Sequence, residues 1–249
     1  GIWSQTMETN LLDQLYKIQK KKILCIGDVI LDSYINNKFI KILEEDPINV
    51  IKKKDQFYKL GGVGNVALNL KNLGISVDLI TLGSLDDKFQ VIKKLLKENN
   101  IRSKIFYSRD NITSLKERYY ISNYHLLRQD SEKIINLKVS LINQILKYIK
   151  KNIISNSYNA IIISDYGKGL ISKNFFYKLS KIAKKFKLKI FVDPKSKELS
   201  KYSGSFCIKA NSKEMDIFLQ KYNFCTDDLM DNRKKNLISK FLYKENIKN

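Results

Sequence analysis

Proline, histidine, cysteine and arginine are all scarce in this sequence, and each scarcity removes a class of explanation. Two prolines and ten glycines serve 249 residues, so the places where they do occur mark special backbone geometry. The three cysteines, Cys25, Cys207 and Cys225, are odd in number and widely spaced. That excludes a disulfide framework and a Cys-x-x-Cys zinc site. One histidine, His125, leaves no His-rich metal site, and a Ser-His-Asp triad only if that residue itself served. No apolar run approaches the roughly 20 residues that cross a bilayer, and the start has no basic-then-apolar leader. A soluble cytoplasmic protein with no membrane partner is expected.

Of 46 basic residues only five are Arg (Arg102, Arg109, Arg118, Arg128 and Arg233), against 25 acidic residues, for a formal charge of +21. Such a charge suggests nucleic acid or an anionic surface. The lysines, however, are spread along the whole chain, and Arg is the usual reader of base edges and phosphates. Lys, Ile and Asn dominate, all with A/T-rich codons, so the basicity is read as incidental and no nucleic-acid partner is expected. At 43% hydrophobic the chain can bury a core. Its length suits one large α/β domain or two small ones.

The pattern alternates. Residues 1–6 precede the first Met, Met7, and read as an upstream scar or fragment edge. A short amphipathic helix is predicted over 9–22, then a buried strand over 23–27 ending at Gly27-Asp28. Further strands are predicted over 77–82, 104–107, 160–164, 189–192 and 206–209. Helices are predicted over 66–73, 87–99, 134–152, 173–185 (capped by Ser172), 212–221 and about 227–244. Strand–helix alternation with short loops implies a mostly parallel sheet with helices on both faces. Two extended segments, 34–58 and 115–129, break the rhythm and read as a small separate β layer.

The rare glycines and prolines cluster with polar groups. Gly61-Gly62-Val63-Gly64-Asn65 opens a helix: either a ligand-approaching loop or a plain Gly-rich turn with Asn as its cap. It is no Walker A loop, because no Gly-Lys-Ser/Thr follows. Ser164-Asp165-Tyr166-Gly167-Lys168-Gly169 follows an aliphatic strand; Asp165 could cap a helix with Lys168 in solvent, or both could serve a ligand. Asp193-Pro194-Lys195 follows the next strand. Asn211-Ser212-Lys213-Glu214 follows a third, readable also as a capping box. Three consecutive strands thus deliver polar groups to one carboxyl edge, where open α/β sheets bind ligands.

In this order the motifs resemble the ribokinase-like (PfkB) carbohydrate kinases, and within them the kinases of D-glycero-D-manno-heptose 7-phosphate. The matching stretches also include Gly27-Asp28 through Asp32-Ser33-Tyr34, Lys41-Ile42-x-x-Glu45-x-Pro47-x-x-Val50, Lys116-x-Arg118 and Arg128-Gln129-Asp130. The resemblance covers about residues 23 to 220. It implies a ribokinase-like three-layer sandwich with a β lid from 34–58 and 115–129, the kinase domain running over 23–249 after an N-terminal extension and helix over 1–22. It implies ATP and Mg²⁺ as cofactors, a sugar phosphate as substrate and a homodimer through the lid. Asp32, Gly61, Gly62 and Asn65 would hold sugar hydroxyls. Lys116, Arg118 and Arg128 would face the sugar's phosphate, with Asp165 and Lys168 completing the substrate site. Asp193, Asn211, Ser212, Lys213 and Glu214 would serve ATP and Mg²⁺, Glu214 through water, and Lys195 the transferred phosphoryl. Val63-Gly64, Leu43-Glu44 and Leu115 depart from the family's usual residues.

One motif is missing. The family's catalytic base is an Asp in a late Gly-Ala-Gly-Asp loop, whereas the last glycine here is Gly204. The expectation is therefore a partial kinase domain, the C-terminal part of the fold missing and the base beyond Asn249. A decayed, non-catalytic sugar-phosphate-binding or interaction protein is the alternative, and a basic nucleic-acid-binding protein a more distant one.

Overall fold

The structure, a computed structural model, describes residues 13–43, 45, 49–195 and 198–211. Among the described residues six strands form one sheet: β1 (Lys22–Gly27), β4 (Ser76–Gly83), β5 (Arg102–Tyr107), β8 (Ala160–Ser164), β9 (Lys189–Asp193) and β10 (Cys207–Ile208). Their order is β10-β9-β8-β1-β4-β5, and every pairing is parallel. Strands of such a sheet are covered on both faces, which is why β1 and β8 read as near-continuous apolar runs.

Alternation along the strands divides the core in two. Leu24, Ile26, Ile80, Leu82, Ile161, Ile163, Ile190 and Val192 pack beneath helices α3 (Val139–Ser155) and α4 (Lys173–Lys185). Cys25, Val77 and Leu79 face the other way, onto α1 (Val63–Asn72) and α2 (Asp87–Glu98). The result is the expected three-layer sandwich. The described part of the predicted N-terminal helix, 13–19, is helical.

The second sheet is the lid. It has four strands in the order β3-β2-β6-β7: β2 (Val29–Ile42), β3 (Asn49–Gly62), β6 (Ser114–Ile121) and β7 (Tyr124–Ser131). Hairpins β2–β3 and β6–β7 are antiparallel, and β2 pairs with β6 in parallel. The lid is longer than the predicted 34–58 and 115–129. Its root, Val29, Leu31, Leu60 and Leu115, is buried in the core beside α2 and so carries no polar alternation. Above that root the period of two appears: Leu31, Ser33, Ile35 and Asn37 are buried, while Asp32, Tyr34 and Asn36 are half-buried.

Helix α3 begins at Val139, not at 134. Ile135 N–H donates to the carbonyl of Lys168 at 3.2 Å, and Ile135 is buried. Its backbone is thereby tied to the 164–169 loop instead of a helical turn. The predicted helices over 212–221 and 227–244 lie outside the described residues.

Candidate functional site

Strand order locates the site. From β1 the chain builds outward to β4 and β5 on one side, and later to β8, β9 and β10 on the other. The switch point lies between the carboxyl ends of β1 and β8, where Gly27 pairs with Ser164. A crevice at such a point is the usual ligand position in open α/β sheets. The lid rises from the same place, because Asp28 alone separates β1 from β2.

Asp28 ties three elements together. Its N–H donates to Ser164 O at 3.1 Å, and its carbonyl accepts from Val63 N–H, at the start of α1, at 2.9 Å. Its carboxylate Oδ2 accepts from the N–H groups of Tyr166 (2.9 Å) and Lys168 (3.1 Å). Burial, and then the charge of Asp165, push this carboxyl up to about 6, against the pull of those N–H groups and Lys201. The motif reading marks Gly27-Asp28 as well placed but gives Asp28 no role; nothing in the sequence shows that its partners lie in the 164–169 loop.

The proposed sugar-side residues sit on one row of the lid. Asp32 on β2 stands opposite Lys59 on β3 and Lys116 on β6. Asp32 Oδ1 accepts from Arg118 Nη1 at 2.6 Å. A Cβ at Gly61 would run into Asp32 Oδ2, so glycine is what leaves that oxygen its space. Gly62 has φ +57°, and a Cβ there would strike the carbonyl of Asp28. Asn65 lies exposed in the first turn of α1; the N-cap is Gly62, without a side-chain cap, so Asn65 is not the cap. Lys116 reaches over the ring of Tyr166, Nζ to centroid 5.5 Å, joining the lid to the 164–169 loop. Lys59, which motif reading passes over, lies 5.3 Å from the Tyr34 ring.

Several predicted ligands are engaged by the fold. Asp165 is buried: Oδ1 accepts from Gly167 N–H (2.8 Å), and Oδ2 from Lys201 Nζ (2.5 Å) and Tyr202 O–H (2.7 Å). It caps no helix, and both of its oxygens accept from groups of the fold. Lys168 is not in solvent either; its Nζ pairs with Glu132 at 2.6 Å. Arg128 forms a two-bonded pair with Asp130 of its own strand. Arg118 is committed to Asp32, and its guanidinium lies 5.3 Å from the Tyr34 ring. Lys116 has no acidic partner among the described residues. Asp28, Thr113, Ser114 and Lys168 help line a cavity of about 20 Å³, room for one water.

The phosphate side is partly described. Asp165 N–H donates to Asp193 O at 3.0 Å, which joins the ends of β8 and β9. Asp193 faces Lys209 at 3.5 Å. Lys195 is exposed, and its Cγ lies against Gly167. Asn211 is exposed beyond β10, while Ser212, Lys213 and Glu214 lie outside the described residues. No cluster of three or more His, Cys, Asp or Glu that could hold a metal occurs among the described residues. No described helix is long and apolar enough to cross a membrane.

This geometry has known counterparts. The chain is 36% identical over 197 residues to the "Bifunctional protein HldE" of Aliarcobacter butzleri, covering 79% of this chain and 41% of that protein. It is 34% identical over 193 residues to the protein of that name from Campylobacter fetus, covering 77% and 41%. The chain thus spans about two fifths of the length of these curated relatives. Among solved structures it resembles phosphofructokinase-2 from Escherichia coli in complex with fructose-6-phosphate, with a TM-score of 0.64 at 16% identity over 91% of this chain and 71% of that one. A carbohydrate kinase from Agrobacterium tumefaciens matches with a TM-score of 0.54 at 17% identity, over 75% and 58%. At such identities these structures speak for the fold alone. The family model for the pfkB family carbohydrate kinases matches residues 20–244, and with that match, the HldE relatives and the ribokinase-like fold together, the chain belongs to the pfkB family of carbohydrate kinases.

Proposed function

We propose that this chain binds D-glycero-D-manno-heptose 7-phosphate and serves ATP-dependent phosphorylation of its anomeric hydroxyl, a step toward ADP-heptose and lipopolysaccharide core. The observation that carries this reading is the meeting in the lid of an Asp32 oxygen beside Gly61 with Lys116, which has no acidic partner among the described residues and reaches the 164–169 loop. A carboxylate oxygen suits a sugar hydroxyl, and an unpaired ammonium suits a phosphate.

In this account Asp32 and Asn65 orient the sugar, with Gly61 and Gly62 allowing backbone to approach it. Lys116 holds the 7-phosphate. Lys195 offsets charge on the group in transfer, which is how phosphoryl transfer is mostly helped. Asp193 and Asn211 would hold the nucleotide together with Ser212, Lys213 and Glu214. Mg²⁺ suits this sparse donor set, because it keeps several waters and needs only one or two carboxylates beside the phosphates. Bound MgATP supplies the phosphoryl group and neutralises its charge. The lid carries exposed Phe39, Ile40, Ile42 and Phe57, which supports a homodimer that buries them.

A second reading has its own support. The sequence has no glycine after Gly204, and the buried edge acids Asp28 and Asp165 are both tied into hydrogen bonds. Both facts favour a chain that binds the sugar phosphate without supplying the base. Calorimetry with heptose 7-phosphate, fructose 6-phosphate and glucose 6-phosphate tests the shared claim. Heptose 7-phosphate should bind most tightly; equal affinities for all three contradict the proposed substrate.

A further inference from the structure

Arg118 looks, by motif, like a phosphate ligand, yet its side chain is engaged within the lid. It stands on β6 two residues beyond Lys116, on the same face of the lid, because side chains alternate along a strand. Register sets Lys116 beside Asp32 and Arg118 beside Tyr34. From there the guanidinium covers the Tyr34 ring at 5.3 Å and donates through Nη1 to Asp32 Oδ1 at 2.6 Å. Arg118 and Asp32 side chains are only 22% and 18% exposed. Such a pair is screened less than a surface one, and the Arg fork fixes direction as well as charge.

The two oxygens of Asp32 are thereby made unequal. Oδ1 is held by Arg118. Oδ2 lies in the space left by Gly61 and takes no hydrogen bond from any described residue. Tyr34 in turn is stacked on Phe57 at 4.9 Å with the rings 2° apart, so the platform under the guanidinium is itself fixed.

We propose that Arg118 is a positioning residue: it holds Asp32 so that Oδ2 meets the sugar, and Lys116, not Arg118, carries the preference for a phosphorylated sugar. This rests on the reading of Asp32 as a sugar ligand. It assigns the two cations of the Lys116-x-Arg118 motif to different jobs, although the spacing alone gives them one.

A binding cycle on the whole 249-residue chain tests it, with heptose 7-phosphate as the probe. Arg118→Gln should weaken binding by about tenfold or more in the wild-type background, and by less than about twofold when Asp32→Asn is already present, because the two act as a unit. Arg118→Lys should restore part of the loss. Lys116→Gln should weaken binding by a similar factor in both backgrounds. Equal losses from Arg118→Gln with and without Asp32→Asn would overturn the proposal, since a phosphate ligand acts independently of Asp32. Urea unfolding without ligand keeps the test separate from the functional reading. Coupling between Asp32→Asn and Arg118→Gln there supports the pair, and its absence overturns it. A folded wild type that binds no sugar phosphate would overturn the functional reading instead, leaving the unfolding cycle to judge the pair.

Discussion

Burial and the neighbouring Asp165 raise the Asp28 carboxyl from an ordinary 3.8 to about 6. A folded-state value above the unfolded one means that the folded chain holds the proton more tightly. Its contribution is complete below about pH 4 and is lost as pH rises through about 6. The rise corresponds to about 3 kcal/mol, at about 1.4 kcal/mol per tenfold change in proton affinity. Asp28→Asn retains an oxygen for the Tyr166 and Lys168 N–H groups but cannot ionise. Its stability relative to wild type should therefore improve by up to about 3 kcal/mol between pH 4 and pH 7; a flat difference in urea unfolding contradicts the assignment. Gly62 offers a second test at this scale. Its φ of +57° with ψ of −137° lies where essentially only glycine goes and costs an L side chain about 1–3 kcal/mol, and a Cβ would also strike Asp28 O. Gly62→Ala should lose at least about 2 kcal/mol in the same assay. At the residue scale the motif residues Asp32, Gly61 and Lys116 come together in the lid: Asp32 stands opposite Lys116, and Gly61 leaves room for the Asp32 carboxylate. The motifs do not show which charges are already paired. Arg118 and Asp32 are 86 residues apart, and Asp165 and Lys201 are 36 apart, so those partners depend on strand register and on the turn of the chain at Leu199–Tyr202.

Helix caps show how much each element depends on its neighbours. Ser172 accepts from Phe175 N–H at 3.1 Å and serves α4 alone. Asp86 accepts from Phe89 N–H at the start of α2, and also from Thr113 N–H (2.8 Å) and Thr113 Oγ1 (2.6 Å), just before β6. Burial works against the charged form of Asp86, yet these donors hold its carboxyl below the usual range. Ser172→Ala should cost about 1 kcal/mol. Asp86→Ala should cost clearly more, because Thr113 N–H loses its acceptor too, and thermal unfolding of the two variants side by side checks the order. Sequence periodicity reads the elements well where one face is buried and the other wet, as in α2 and α4, whose ends agree within a residue. It fails in two places. The lid root, Val29, Leu31, Leu60 and Leu115, is buried in the core, so the extended pattern places the lid's start too late. The stretch 134–138 has helical composition but gives its backbone to Lys168.

At the scale of residues 1–249 the proposal is a sugar-phosphate site with no free proton acceptor among the described residues of its edge. General-base help is worth roughly 10²–10⁴-fold, and kinases typically turn over at roughly 1–100 s⁻¹. The acids at the described edge are Asp28 and Asp165, tied to donors, and Asp193, facing Lys209. Residues 1–249 alone should therefore phosphorylate heptose 7-phosphate at well under about 1 s⁻¹, measured as ATP-dependent product formation. Turnover within the kinase range would place the base among these residues and make Asp193→Asn the variant to examine. The fold and its site address follow from strand–helix alternation and from where the polar clusters end their strands; the chemistry of transfer does not, because the Gly-rich loop expected to carry it has no counterpart after Gly204. The central claim is that Asp32, at the root of the lid, is the sugar's anchor. Isothermal calorimetry of heptose 7-phosphate binding to the wild-type chain and to Asp32→Ala tests it most directly. The wild type should show one site per chain, and the variant at least about a tenfold loss, about 1.4 kcal/mol. Equal binding by both, or no binding by a wild type shown to be folded, would contradict it.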